Sequence, residues 1–233
     1  ARQADLFIVN GLELEIGYEP LILEGSRNPE IQKGRPGYLD ASESIQPLEI
    51  PEHIDRSMGD IHASGNPHYW LDPENAKVIA REIADRLREL LPAGNNSFQQ
   101  NLQEFEKLID QKMAQWKRAL SPYQGEKIIS YHSTWSYFAK RFGLEIAGQL
   151  EPKPGIPPTP SHLQNLIETV NAENVKVILN ESIYKEDAAK FIAKKTGAIV
   201  VSVPMSVGGS PEARDYVSLM DTIVNKLMEA LRK

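Results

Sequence analysis

Apolar residues fall into two regimes along this chain. Between residues 73 and 120 they recur three or four apart, whereas after Tyr123 they gather in short continuous runs separated by helical stretches. In the first regime Ala76, Ile79, Ala80, Ile83, Ala84, Leu87 and Leu91 mark one face of a helix that Pro92-Ala93-Gly94 stops. A second, longer series, Phe98, Leu102, Phe105, Ile109, Met113, Trp116 and Leu120, predicts a helix over about residues 97–119, with Asn95-Asn96-Ser97 offering caps. At 1.5 Å per residue that helix is about 35 Å long. It is either a strut bridging two lobes or a hairpin partner for the helix before it.

Around this helical centre the patterns predict strands. Residues 6–9 form a short apolar run bounded by Asn10-Gly11, residues 12–23 are helix-like although Gly17 and Pro20 interrupt them, residues 25–37 read as a polar loop, and residues 38–40 as another short strand. Beyond Tyr123, strands are predicted at 127–130, 144–147, 175–179 and 198–203. They alternate with helices at 134–142, 161–171, 185–196 and 215–232, and Gly143 and Gly197 stand where helix C-caps belong. Alternation of this kind predicts an α/β fold with a parallel sheet. Residues 151–160 hold five prolines and predict a stiff, non-helical loop that either walls a cleft or merely connects.

Composition narrows the function classes. With 233 residues, of which 41% are hydrophobic, the chain can bury one large core or two smaller ones. A net charge of −6 with both signs interspersed leaves no basic face for nucleic acid. No apolar run reaches the roughly 18 residues of a membrane span. Cysteine is absent, so a transition metal would have to be held by nitrogen and oxygen.

Two of the five histidines lie in the stretch from Gly59 to Pro73, Gly-Asp-Ile-His-Ala-Ser-Gly-Asn-Pro-His-Tyr-Trp-Leu-Asp-Pro. Asp72-Pro73 marks a helix start, an N-cap carboxylate before a proline at the first helical position, and so His68 stands just outside a helix. A neutral imidazole on a rigid loop suits zinc, yet a lone histidine is more often a surface or hydrogen-bonding residue than a ligand. In open α/β sheets ligands gather beyond the carboxyl ends of the strands, which here carry Tyr131-His132, Asn180-Glu181 and Pro204-Met205. His132 therefore leads in the second half, with Ser133 expected to cap the following helix. Glu181 is open between a ligand and a solvated or helix-capping carboxylate, while His53 and His162 read as surface residues. Tyr69, Trp70, Trp135, Tyr137 and Phe138 read as packing residues.

The segments Asn-Pro-His-Tyr-Trp-Leu-Asp-Pro and Ile-Ile-Ser-Tyr-His-Ser-Thr-Trp-Ser-Tyr-Phe-Ala-Lys-Arg-Phe-Gly-Leu resemble those of the zinc/manganese class of periplasmic metal-binding proteins of ABC importers, and the resemblance covers nearly the whole chain. It implies two (β/α) lobes joined by a long rigid helix with a metal site at the lobe interface: an N-terminal lobe over 1–94, a connecting helix over 95–120 and a C-terminal lobe over 121–233. It further implies that His68 and His132 are metal ligands. Manganese-preferring relatives tend to carry glutamate where His132 stands, which tilts the reading towards zinc. Two departures are expected to matter. The family's first histidine belongs to an Asp-Pro-His segment upstream of residues 6–9, so the chain reads as N-terminally truncated, without signal segment or first βα units. The loop after the last strand, residues 203–209, lacks the carboxylate that many relatives have there. Glu181, water, or His62 are the candidates to complete the set.

The resulting expectation is an extracytoplasmic protein, periplasmic or lipid-anchored in its full-length precursor. It captures a divalent metal, zinc or alternatively manganese, and delivers it to an ABC permease as a monomer without catalysing a reaction. A zinc-dependent hydrolase using the same histidines is the rival, against which stands the lack of a His-Glu-x-x-His pair.

Overall fold

A computed structural model describes residues 1–53 and 62–233, which form two compact units. The first comprises residues 1–53 and 62–110. Here β1 (Phe7–Val9) pairs in parallel with β2 (Tyr38–Asp40), Phe7 beside Tyr38 and Val9 beside Asp40. The chain between them departs from expectation. No helix starts at Leu12; residues 12–18 turn, and α1 runs over Glu19–Ser26 with Pro20 in its first turn. The cause is twofold: Gly11, Leu12 and Glu13 all take positive φ (78°, 49° and 65°), and a proline suits a helix's opening turn but not its interior. The loop expected over 25–37 is also shorter, since α1 occupies its first two residues and a single 3-10 turn forms at Pro29–Ile31, capped by the Asn28 side chain.

Two helices complete this unit. α2 (Pro73–Leu90) starts at Asp72, whose carboxylate accepts from the Glu74 amide at 2.9 Å, as the Asp-Pro signal predicts. α3 (Asn95–Leu120) begins two residues earlier than expected, because a 3-10 turn at Pro92–Gly94 leads straight into it. Through Asp110 this helix lies alongside α2: Ala80, Ile83, Ala84 and Leu87 line a cleft of about 250 Å³ with Phe98, Leu102 and Phe105. Lys77 reaches Asp110 at 2.6 Å and Arg81 reaches Glu106. The hairpin alternative therefore describes this half of the helix.

The second unit holds residues 111–233. The last turns of α3 belong to it, with Trp116 and Lys112 both bonded to Asp221 at 2.8 and 2.6 Å. Its parallel sheet has the order β4-β3-β5-β6, formed by β3 (Lys127–Ser130), β4 (Glu145–Gln149), β5 (Val177–Glu181) and β6 (Ile199–Val203). Helices α4 (Ser136–Phe142), α5 (Pro160–Ala172) and α6 (Asp187–Thr196) make the crossovers, and α7 (Tyr216–Leu231) follows the last strand and packs on β5 and β6. All five residues of β5 are buried, the pattern of a strand covered on both faces. Ile129 and Ile178 pack with Leu150, Leu166, Val170 and Ile192 in one continuous core. Gly143 and Gly197 end α4 and α6 as expected. Because the chain moves outward from β3 to β4 and then crosses to β5 on its other side, strand order reverses between β3 and β5, which is where crevices open in such sheets.

Candidate metal centre

His68 is held by its own neighbourhood. Asn66 Oδ1 accepts from the His68 backbone amide and lies 2.9 Å from its Nδ1. An oxygen already accepting one N–H is an acceptor for the ring as well, which assigns the hydrogen to Nδ1. The amide of Asn66 donates to Glu49 at 2.8 Å, and its backbone N–H donates to Leu48 O at 2.8 Å. Asn10, at the end of β1, clasps the loop from the other side through Pro67 O at 2.9 Å and the Tyr69 hydroxyl. Gly65 makes the approach possible: its φ is 109°, and a Cβ there would stand 2.8 Å from Pro47 Cβ and 2.9 Å from Leu48 O. The result is an imidazole 3% exposed, stacked at a tilt 5.3 Å from the Trp70 ring, directly before the turn that starts α2.

His132 leaves the carboxyl end of β3. Its Nδ1 lies 2.7 Å from Glu151 Oε2, and its backbone N–H donates to Glu181 Oε1 at 3.3 Å. Ser133 does not cap α4: a 3-10 turn at Ser133–Trp135 intervenes, and no side chain caps either start. Glu181 is the last residue of β5, fully buried rather than a solvated loop carboxylate. Its Oε1 also accepts from the Trp135 indole at 3.0 Å, whereas Oε2, beside the Thr134 hydroxyl, has no hydrogen bond. Burial pushes this carboxyl up to about 7, against which the neighbouring Thr134 hydroxyl, the backbone N–H groups of Glu181 and His132 and the Trp135 indole pull it down. Tyr184, stacked on Tyr131 at 4.2 Å between ring centres, stands 6.3 Å from the imidazole.

The remaining candidates divide. His62 is half-buried in the turn whose carbonyl accepts from Gly65 N, and the neighbouring residues 54–61 lie outside the described set. His53 is exposed as expected, and His162 lies against Gln149 O at 2.8 Å at the start of α5. Among the described residues no three His, Asp or Glu side chains are gathered into a set that could hold a metal ion. Sequence reasoning missed Glu151 and Asn66. Asn66 could have been found, since an Asx residue two before the histidine is a known local acceptor. Glu151 was hidden because the fourth predicted strand stops at Ala147, four residues short.

Residues 1–230 match the family described as "Zinc-uptake complex component A periplasmic". The chain belongs to this family. It is 24% identical over 214 residues to the high-affinity zinc uptake system protein ZnuA of Yersinia pestis, covering 91% of this chain and 64% of that protein. It is 26% identical over 236 residues to the metal ABC transporter substrate-binding lipoprotein ScbA of Streptococcus cristatus, covering 99% and 74%. The fold matches a crystal structure of ZnuA with a TM-score of 0.79 at 24% identity, over 98% of this chain and 81% of that one. It also matches a manganese-bound periplasmic metal-binding protein from Candidatus Liberibacter asiaticus, at 0.78 and 23%, over 99% and 82%. The chain thus spans just under two thirds of the Yersinia protein's length and half that of the Brucella relatives.

Proposed function

We propose that this chain captures a divalent transition metal outside the cytoplasm for delivery to an ABC permease, with zinc as the cargo and manganese as the competing ion. The observation that carries the reading is shared by two histidines. In His68 and in His132 the Nδ1 atom is taken up by an oxygen acceptor, Asn66 and Glu151 respectively, which fixes each ring and makes Nε2 the atom through which a metal would be bound. Imidazole nitrogen favours zinc over the oxygen-seeking magnesium and calcium. Relatives named for zinc and for manganese uptake support the class of cargo and leave the choice of ion to experiment. Glu181, with its buried second oxygen, and His62 are further candidate donors.

The role is binding rather than turnover, a reading supported by relatives named as an uptake-system component and as a metal transporter's substrate-binding lipoprotein. Extracytoplasmic placement rests on relatives described as lipoproteins and as periplasmic proteins. No helix among the described residues is long and apolar enough to cross a membrane. The test is competitive titration of metal-stripped protein with zinc and manganese. Saturable one-to-one binding, tighter for zinc, is expected, and the absence of binding by either ion would sink the reading.

A further inference from the structure

Glu151 lies outside every ligand set considered above, yet the fold goes to some length to bring it to His132. β4 pairs with β3 as Ile146 beside Ile128, then Gly148 beside Ile129 and Gln149 beside Ser130, so Ala147 is skipped in a bulge. The pairing continues past the strand ends, with Leu150 N donating to Ser130 O at 2.8 Å and Glu151 N to Tyr131 O at 2.9 Å. Carried two steps beyond Ser130 and Gln149, this register sets Glu151 beside His132; without the bulge Leu150 would take that place, because a one-residue slip exchanges the side chains on a strand's faces. The proline-rich loop then folds back over the carboxylate. Lys153 and Ile156 form an isolated bridge around Gly155, whose φ of 75° is left-handed and whose N–H points to Glu151 Oε2 at 3.4 Å. The side chain is left 8% exposed with its oxygen 2.7 Å from His132 Nδ1.

From this geometry we propose that Glu151 is a positioning residue for metal capture, which fixes the His132 ring with its hydrogen on Nδ1 and raises the donor strength of Nε2. The proposal rests on the reading of His132 as a metal donor. A carboxylate acceptor polarises an imidazole more than a neutral amide does, and outer carboxylates of this kind tune metal affinity by about 10–100-fold. His68, backed by the Asn66 amide, lacks that charge. The two histidines are therefore unequal donors, with His132 the stronger.

The test compares wild type with Glu151→Gln, which preserves shape and an acceptor oxygen but removes the charge, and with Glu151→Ala. Zinc affinity is measured by competition against a chelating dye, and the His132 tautomer by side-chain ¹⁵N NMR of the metal-free protein. Glu151→Gln should weaken zinc binding by about tenfold or more and Glu151→Ala further. Glu151→Ala should move His132 towards the Nε2–H tautomer, Glu151→Gln, whose amide oxygen still accepts, should keep the hydrogen on Nδ1, and both should leave the His68 signals in place. In Glu151→Ala an affinity loss with an unmoved tautomer would overturn positioning in favour of a purely structural role, and so would unchanged affinity in both variants. If zinc bound to none of the three proteins while the tautomer still shifted, the metal reading would fall and the contact between Glu151 and His132 would stand.

Discussion

The ring of His68 is fixed by Asn66, two residues before it in the chain, whereas His132 is fixed by Glu151 and Glu181, 19 and 49 positions away. One is built on a local motif, an Asx turn with a left-handed backbone angle at Gly65 and a capped helix start, which Asn10, Leu48 and Glu49 hold in place from outside. The other is assembled by a sheet, and its geometry exists only once β3, β4 and β5 are in register. A local motif keeps its shape so long as its turn does. A tertiary one answers to any change in the strands that carry it, and so the two histidines should respond differently to mutation.

The largest effect that joins them is cargo binding. A metal bound only by folded protein stabilises it by RT ln(1 + [L]/Kd), about 4 kcal/mol at a thousandfold excess over Kd. Zinc should therefore raise the Tm of wild type and of His162→Ala alike, because His162 is engaged with the backbone carbonyl of Gln149 at the end of β4. The rise should shrink or vanish in His68→Ala and His132→Ala. If His132→Ala kept the full shift while His162→Ala lost it, the strand-end assignment would be wrong.

Next comes Glu181, which separates the tertiary site from the local one. In Glu181→Ala the buried Trp135 indole loses its acceptor, a loss of about 1–3 kcal/mol in thermal or denaturant unfolding of metal-free protein. The sign of its pH effect follows from burial. The folded carboxyl titrates at about 7 against an ordinary 4.5, so the native state holds its proton more tightly than the unfolded chain. Its contribution to stability is fully present below about 4.5 and is lost as pH rises through 7. Glu181→Gln cannot ionise, so the stability difference between the two proteins should move in favour of the variant from pH 5 to pH 8. Parallel stability curves would show that burial does not govern this carboxyl.

The same contrast explains what the sequence disclosed. Asp72-Pro73, Gly143 and Gly197 act on their own neighbours, and the helix starts and stops they predict are found. Continuous apolar runs located four parallel strands to within about two residues, because burial on both faces of a sheet demands them. Glu151 was out of reach: Gly148 and Gln149 extend β4 without any apolar signal, and a bulge leaves no mark in a hydrophobic pattern. Three successive positive φ angles at Gly11, Leu12 and Glu13 were equally silent, since nothing in Leu12 or Glu13 asks for that conformation. Glu13 instead is held from afar, accepting from Ala63 N at 2.6 Å.

A smaller effect probes the local site alone. Gly65→Ala imposes an unfavourable backbone conformation and drives a methyl group against Pro47 and Leu48 O, for a loss of about 1–2 kcal/mol. Because Asn66 follows directly, the variant should also displace the His68 resonances while the His132 signals stay where they are. Movement of both sets would show that the two regions are coupled.

The smallest expected effect lies at Asp72, four residues beyond His68. Its carboxylate caps α2 through the Glu74 amide at 2.9 Å, and with Pro73 in the first turn it defines where the helix begins. Replacing an N-cap aspartate by alanine leaves a helix N–H without its partner and typically removes about 1 kcal/mol. Asp72→Ala should therefore lower the unfolding free energy by about that amount, whereas Asp72→Ser or Asp72→Asn, both good caps, should recover most of it. Zinc affinity should change little in any of the three, because the Asn66 to His68 bonds lie upstream of the cap and are closed within their own turn. A large loss of zinc binding in Asp72→Ala at unchanged stability would mean that the helix start, and not the Asx turn, is what orients His68.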